Sequence, residues 1–174
     1  MSQGASDDST YKGILTAFPY ALRTSESRVF KSYAAVSGVF AALIVVLFAF
    51  ALVTLLGGTA GSPGGSFTFS RAFFIFLMFL VIAPLVTPVL LVARRHRRTD
   101  STVEYDRSLA VAGYGFLAAL YLGLVISTPP DLQESTGGPL GAGLEFLYGL
   151  PTLAAAVPPA VAVATIYLAH RRYQ

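Results

Sequence analysis

The sequence predicts an all-α polytopic membrane protein, with four transmembrane helices in an antiparallel bundle and a short interfacial helix or arm before them. Three observations carry that prediction. Only 12% of the 174 residues are charged and 55% are hydrophobic, whereas a soluble chain carries roughly a quarter of its residues as Asp, Glu, Lys or Arg. Four continuous apolar runs occur, near 34–56, 72–93, 108–127 and 144–169. The charged residues gather in the segments between and around these runs rather than inside them.

The elements follow in chain order. Residues 1–11 open small, polar and mildly acidic, and read as a disordered tail. No signal peptide is legible, because the first long apolar run starts well into the chain without a small-residue cleavage pattern. Residues 12–32 form a cytoplasmic interfacial segment. In it Ile14, Leu15, Phe18, Ala21 and Leu22 share one helical face, but Pro19 removes a backbone donor. A short or broken interfacial helix and an irregular arm packed on the bundle both fit. Thr24 or Ser25 is placed to cap the next helix, with Glu26 in its first turn.

At ~1.5 Å rise per residue, each apolar run covers ~30–39 Å, enough to cross a hydrocarbon core of ~30 Å. The runs are continuous rather than alternating, so they are helices. The connections 57–71 and 128–143 are rich in Gly, Pro and Ser. The connection 94–107 is dense in charge, and its Ser101 and Glu104 stand at capping-box spacing, which starts the third helix near Thr102. A membrane domain over 33–170 and a short cytoplasmic tail over 171–174 complete the layout.

Orientation follows from the twelve basic residues. Lys12, Arg23, Arg28 and Lys31 precede the first run. Arg94, Arg95, Arg97, Arg98 and Arg107 lie in the middle connection, and Arg171 and Arg172 close the chain. Arg71 alone falls on the other side. Short loops obey the positive-inside rule, which places both termini and the middle connection in the cytoplasm of a multi-pass protein of the cell membrane.

Several constellations invite a functional reading. Arg94, Arg95, Arg97 and Arg98 suit anionic lipid headgroups, at ~1 kcal/mol for each basic residue near the surface; fixing topology explains them equally well. The triplet His96-Arg97-Arg98 recurs at His170-Arg171-Arg172, which hints at a two-helix unit used twice. Pro84 and Pro88 in the second run, and Pro151, Pro158 and Pro159 in the fourth, predict helix kinks. Thr87 and Thr152 are placed to rebind the freed carbonyls. Ala34, Gly38 and Ala42 on the first helix and Gly115, Ala119 and Gly123 on the third are small residues four apart, a spacing that lets helices approach closely. Tyr114 and Tyr121 share a face and are expected to line a polar seam with Thr54, Thr87 or Thr165.

The exclusions are as informative. Cys and Trp are absent, so thiolate chemistry has no residue to work with. No ionisable residue falls in the middle of a run, although such residues are the usual markers of proton relays and ion paths in the bilayer. No nucleophile–base–orienter set and no phosphate loop can be assembled. No metal, cofactor or nucleic-acid site is expected. The leading reading is a non-catalytic accessory or assembly component acting through helix–helix and headgroup contacts, with membrane lipids and a membrane-protein partner or second copy as its company. The rival is a small transporter or channel subunit whose pore forms on oligomerisation around the Pro-kinked helices.

The approach AFPYALRTSESRVFKSY over 17–33, the ten Arg against two Lys, and the lack of Cys, Asn and Trp resemble small four-span integral membrane proteins of halophilic archaea. These carry no assigned activity, so the resemblance implies a fold and a location only.

Overall fold

A computed structural model describes residues 14–58, 65–99, 101–133 and 137–173. The tail expected over 1–11, and Lys12, lie outside the described residues. Every regular element among the described residues is helical: α1 (Ile14–Thr24), α2 (Arg28–Gly58), α3 (Gly65–Arg98), α4 (Val103–Ile126), α5 (Pro139–Tyr148) and α6 (Val157–Arg172), with short 3-10 turns at Pro130–Leu132 and Thr152–Ala156. Four stretches are long and apolar enough to cross a membrane: Arg28–Gly58, Phe69–Arg98, Val103–Ile126 and Thr152–Arg172. The chain divides into two compact units, one reaching to Ala110 and one starting at Val111.

In the first unit α1 is a helix that continues through Pro19. Pro19 sits only one turn in, so a single bond to the carbonyl of residue 15 is lost. Ala17 and Ala21, one turn apart, are fully buried, where α1 packs against α2 and α3. The Phe18 ring lies over Gly38 of α2, 3.4 Å from where a Cβ would stand. The segment thus combines the two sequence readings: it is a helix, and it is packed on its neighbours.

The cap of α2 is Ser27 rather than Thr24 or Ser25. Its hydroxyl accepts from the Phe30 N–H at 3.2 Å, three residues on, as an N-cap requires. Thr24 instead donates back to the Tyr20 carbonyl at 2.9 Å. At the start of α4 the Thr102 hydroxyl accepts from the Tyr105 N–H at 3.3 Å. The helix starts where expected, but Ser101 is not its cap.

α3 runs unbroken through Pro84 and Pro88. Proline at these two positions leaves the carbonyls of Leu80 and Pro84 without their i+4 donors. Thr87 does not rebind either; it donates to the Ala83 carbonyl at 2.6 Å. Tyr33 of α2, fully buried, donates its phenol to the Leu85 carbonyl at 2.6 Å, which ties α2 to the proline-weakened stretch. Thr54 and Thr165 also donate to carbonyls one turn back in their own helices. Tyr121 is exposed. These three threonines therefore spend their hydroxyl bonds within their own helices and not on the expected polar seam with Tyr121.

The fourth run is not one helix over 144–169. In the second unit α5 ends at Tyr148, and a 3-10 turn then leads into α6. Pro151 precedes that turn, and Pro158 and Pro159 occupy the first turn of α6. These three prolines do not kink a helix. A first-turn N–H has no helical acceptor, so proline there costs nothing and starts the helix.

Small residues four apart drift across a helix face, since eight residues at 3.6 per turn rotate by ~80°. Ala34 is buried, Gly38 is half-buried and Ala42 is exposed. On α4 the buried row is Tyr105, Leu109, Ala112, Phe116, Ala119, Gly123 and Ile126, spaced alternately by four and three residues, as sustained helix packing demands. Gly115 falls off that row into open space. Gly123 lies on it, and a Cβ there would stand 2.7 Å from the Ala155 carbonyl oxygen. We expect Gly123→Ala to destabilise the protein by about 1–3 kcal/mol through overpacking against backbone. Gly115→Ala should be neutral or stabilising by up to about 1 kcal/mol. Thermal unfolding in detergent reads both, and equal effects would refute the assignment of the packed row.

Candidate functional site

The most distinctive chemistry lies at Asp106, in the first turns of α4. Its side chain is 1% exposed. A buried charge is tolerated only when it is hydrogen-bonded, and three side chains serve it. The Ser25 hydroxyl donates to Oδ2 at 2.5 Å, the Ser101 hydroxyl donates to Oδ1 at 2.9 Å, and His96 Nε2 lies 2.9 Å from Oδ2. An ionised carboxylate can only accept, and an Nε2–H on His96 is the donor that would match it. The α4 N-terminus adds the positive end of its dipole.

Local structure explains how each partner arrives. Ser25 sits in the tight junction between α1 and α2, closed by a bond from its own N–H to the Ala21 carbonyl at 3.0 Å. Its Oγ also accepts from the Ser27 N–H at 3.3 Å. His96 lies in the last turn of α3, and Ser101 in the connection that follows. One carboxylate thus gathers the α1–α2 junction, the end of α3, the connection and the start of α4. Ser25 is itself 1% exposed, so its contact with Asp106 fastens segments together and does not present a nucleophile. His96 Nε2 and Asp106 Oδ2 lie within ion-pairing distance, and among the described residues no group of three or more His, Cys, Asp or Glu is placed to hold a metal ion.

The arginine run divides by function. Arg95 lays its guanidinium 4.2 Å above the Tyr105 ring, an internal cation–π contact beside the Asp106 cluster. Arg94, Arg97 and Arg98 are exposed. Of the four residues predicted to meet headgroups, three keep an outward position and one is engaged inside. Sequence reasoning missed Asp106, Ser25 and Tyr105. Asp106 was hidden in a connection so rich in charge that it read as solvated. The one available signal was its place in the first turn of an apolar helix.

Fold and hydropathy together define the class: this is a multi-pass helical membrane protein. Within that class the chain matches, over residues 1–174, the family described as Domain of unknown function (DUF8056), and it belongs to that family. No curated protein and no solved structure matches it.

Removing the carboxylate leaves two hydroxyls and an imidazole without their acceptor. Asp106→Ala should therefore lower stability by about 3 kcal/mol, and Ser25→Ala by about 1–2 kcal/mol. The double variant should lose less than the sum, because the two share one bond. Unfolding in detergent checks this, and an additive double variant would show that the cluster does not act as a unit.

Proposed function

We propose that this protein is a non-catalytic accessory or assembly component of the cell membrane, with both termini and the 94–107 connection in the cytoplasm. It acts through helix–helix contacts and through anionic headgroups met by Arg94, Arg97 and Arg98. The observation that carries the reading is α2. None of the residues in its most apolar 18-residue stretch is buried within the chain. Val39, Phe50 and Val53 are each about two-thirds exposed. A helix so little used internally has its side chains available to other membrane components. The bunching of basic residues at the helix ends supports the orientation. The Asp106 cluster supports a fixed rather than a moving scaffold, since it fastens four segments at the same end as the arginines.

The orientation is testable because the chain has no Cys. Single cysteines at Ser62 and Thr136 should react with an impermeant reagent only from outside, and one at Thr99 only from the cytoplasm; the reverse pattern overturns the orientation. For the function, extraction into discs of native lipid should yield the chain with a second copy or a bound membrane protein. Solute flux in liposomes that is lost on Pro84→Ala or Pro88→Ala would replace this reading with the transporter one.

A further inference from the structure

The structure sets α5 apart from the span that follows it. At ~2.0 Å per residue in the 3-10 turn and ~1.5 Å in α6, residues 152–169 cover ~30 Å. That equals the hydrocarbon thickness of ~30 Å, so the crossing is complete without α5. The chain between them, Gly149, Leu150 and Pro151, carries no regular element, and Pro151 with φ −58° and ψ 140° is extended. α5 therefore stands at the membrane boundary opposite the one that holds His170, Arg171 and Arg172.

The outward face of α5 is apolar. Leu140 is 79% exposed and Phe146 is 69% exposed, and Leu153, just past the break, is 89% exposed. Pro139, Ala142 and Gly143 share the face of Phe146, Glu145 stands at its edge, and Leu140 is exposed from the first turn. Gly141 is buried and Leu144, Leu147 and Tyr148 are half-buried on the other side. An apolar face at a membrane boundary, continuous with the exposed apolar surface of Val157 and Val161 on α6, is covered most directly by lipid.

We propose that α5 is an interfacial helix that lies in the bilayer boundary and seats Leu140, Phe146 and Leu153 among the acyl chains. The proposal rests on the multi-pass membrane reading but on no particular orientation. Interfacial helices commonly add Lys or Arg for anionic lipids. None occurs between Arg107 and Arg171, so the anchoring is purely apolar and independent of headgroup charge.

The chain contains no Trp, so one introduced indole reports alone. Phe146→Trp, Leu140→Trp and Leu153→Trp are made singly, with Val161→Trp as the mid-span reference, and each is reconstituted in phosphatidylcholine vesicles. We expect blue-shifted emission at all four sites. At the first three, lipids brominated near the headgroup should quench more strongly than lipids brominated near the chain end, with the order reversed at Val161→Trp. Iodide on both sides should leave all four bright, and a fraction of anionic lipid should change nothing. Red-shifted emission quenched by iodide would place α5 in water and overturn the proposal. Protection from both iodide and bromine would mean that a second copy or another protein covers the face. Stronger quenching from the chain end would mean that α5 belongs to the crossing. If Val161→Trp escapes bromine as well, the membrane reading itself fails, and the two failures are thereby told apart.

Discussion

A carboxylate with almost no contact with water constrains everything within reach of it. Asp106 must be given donors, and the first unit supplies them from Ser25, His96 and Ser101. The consequences spread outward. Ser25 is committed to Asp106, so the N-cap of α2 passes to Ser27, and the α1–α2 junction tightens to bring Ser25 in. His96 is committed as well, so the last turn of α3 must end facing α4. Tyr105, beside Asp106, is then buried with Arg95 over its ring. That subtracts one arginine from the outward set. α1 ends beside this tethered Ser25 and lies along α2 and α3, with Ala17 and Ala21 buried against them.

The prolines obey a second constraint, that a backbone group in lipid must be satisfied from within the protein. Where proline falls in a first turn, as Pro158 and Pro159 do, nothing is lost and the helix begins. Where it falls inside, as Pro84 and Pro88 do, donors are lost and the neighbourhood is braced by side chains: Tyr33 on Leu85 and Thr87 on Ala83. Identical residues in two apolar runs thus have opposite structural effects, decided by position relative to a helix start.

The same contrast explains what could be read from the sequence. The four span-length helices were legible because crossing lipid demands long, uncharged, continuous runs, a requirement that leaves its mark on every residue. The start of α4 near Thr102 was legible because capping is local. The division of the fourth run was not, since Gly149 and Pro151 look in sequence like residues that a membrane helix tolerates. Small-residue stripes misled in part. Ala34 and Ala119 lie on packed faces, but a four-residue repeat turns away from a face that repeats every three and a half, so Ala42 and Gly115 are exposed. Asp106 was illegible for a different reason. Its burial depends on Ser25, 81 residues away, and a pairing that distant leaves no periodicity to detect.

The Asp106 region of the first unit and the α5 region of the second differ in kind. In the first, His96 and Ser101 are held by directional bonds to Asp106, with the exposed Arg94, Arg97 and Arg98 alongside. In the second unit no basic residue lies near α5, and the exposed large apolar side chains there are Leu140, Phe146 and Leu153. Charge attraction falls off within a Debye length and weakens as salt rises, whereas apolar insertion grows with the area buried and does not weaken with salt. The proposed headgroup contacts of Arg94, Arg97 and Arg98 and the proposed seating of α5 would therefore respond differently to added salt.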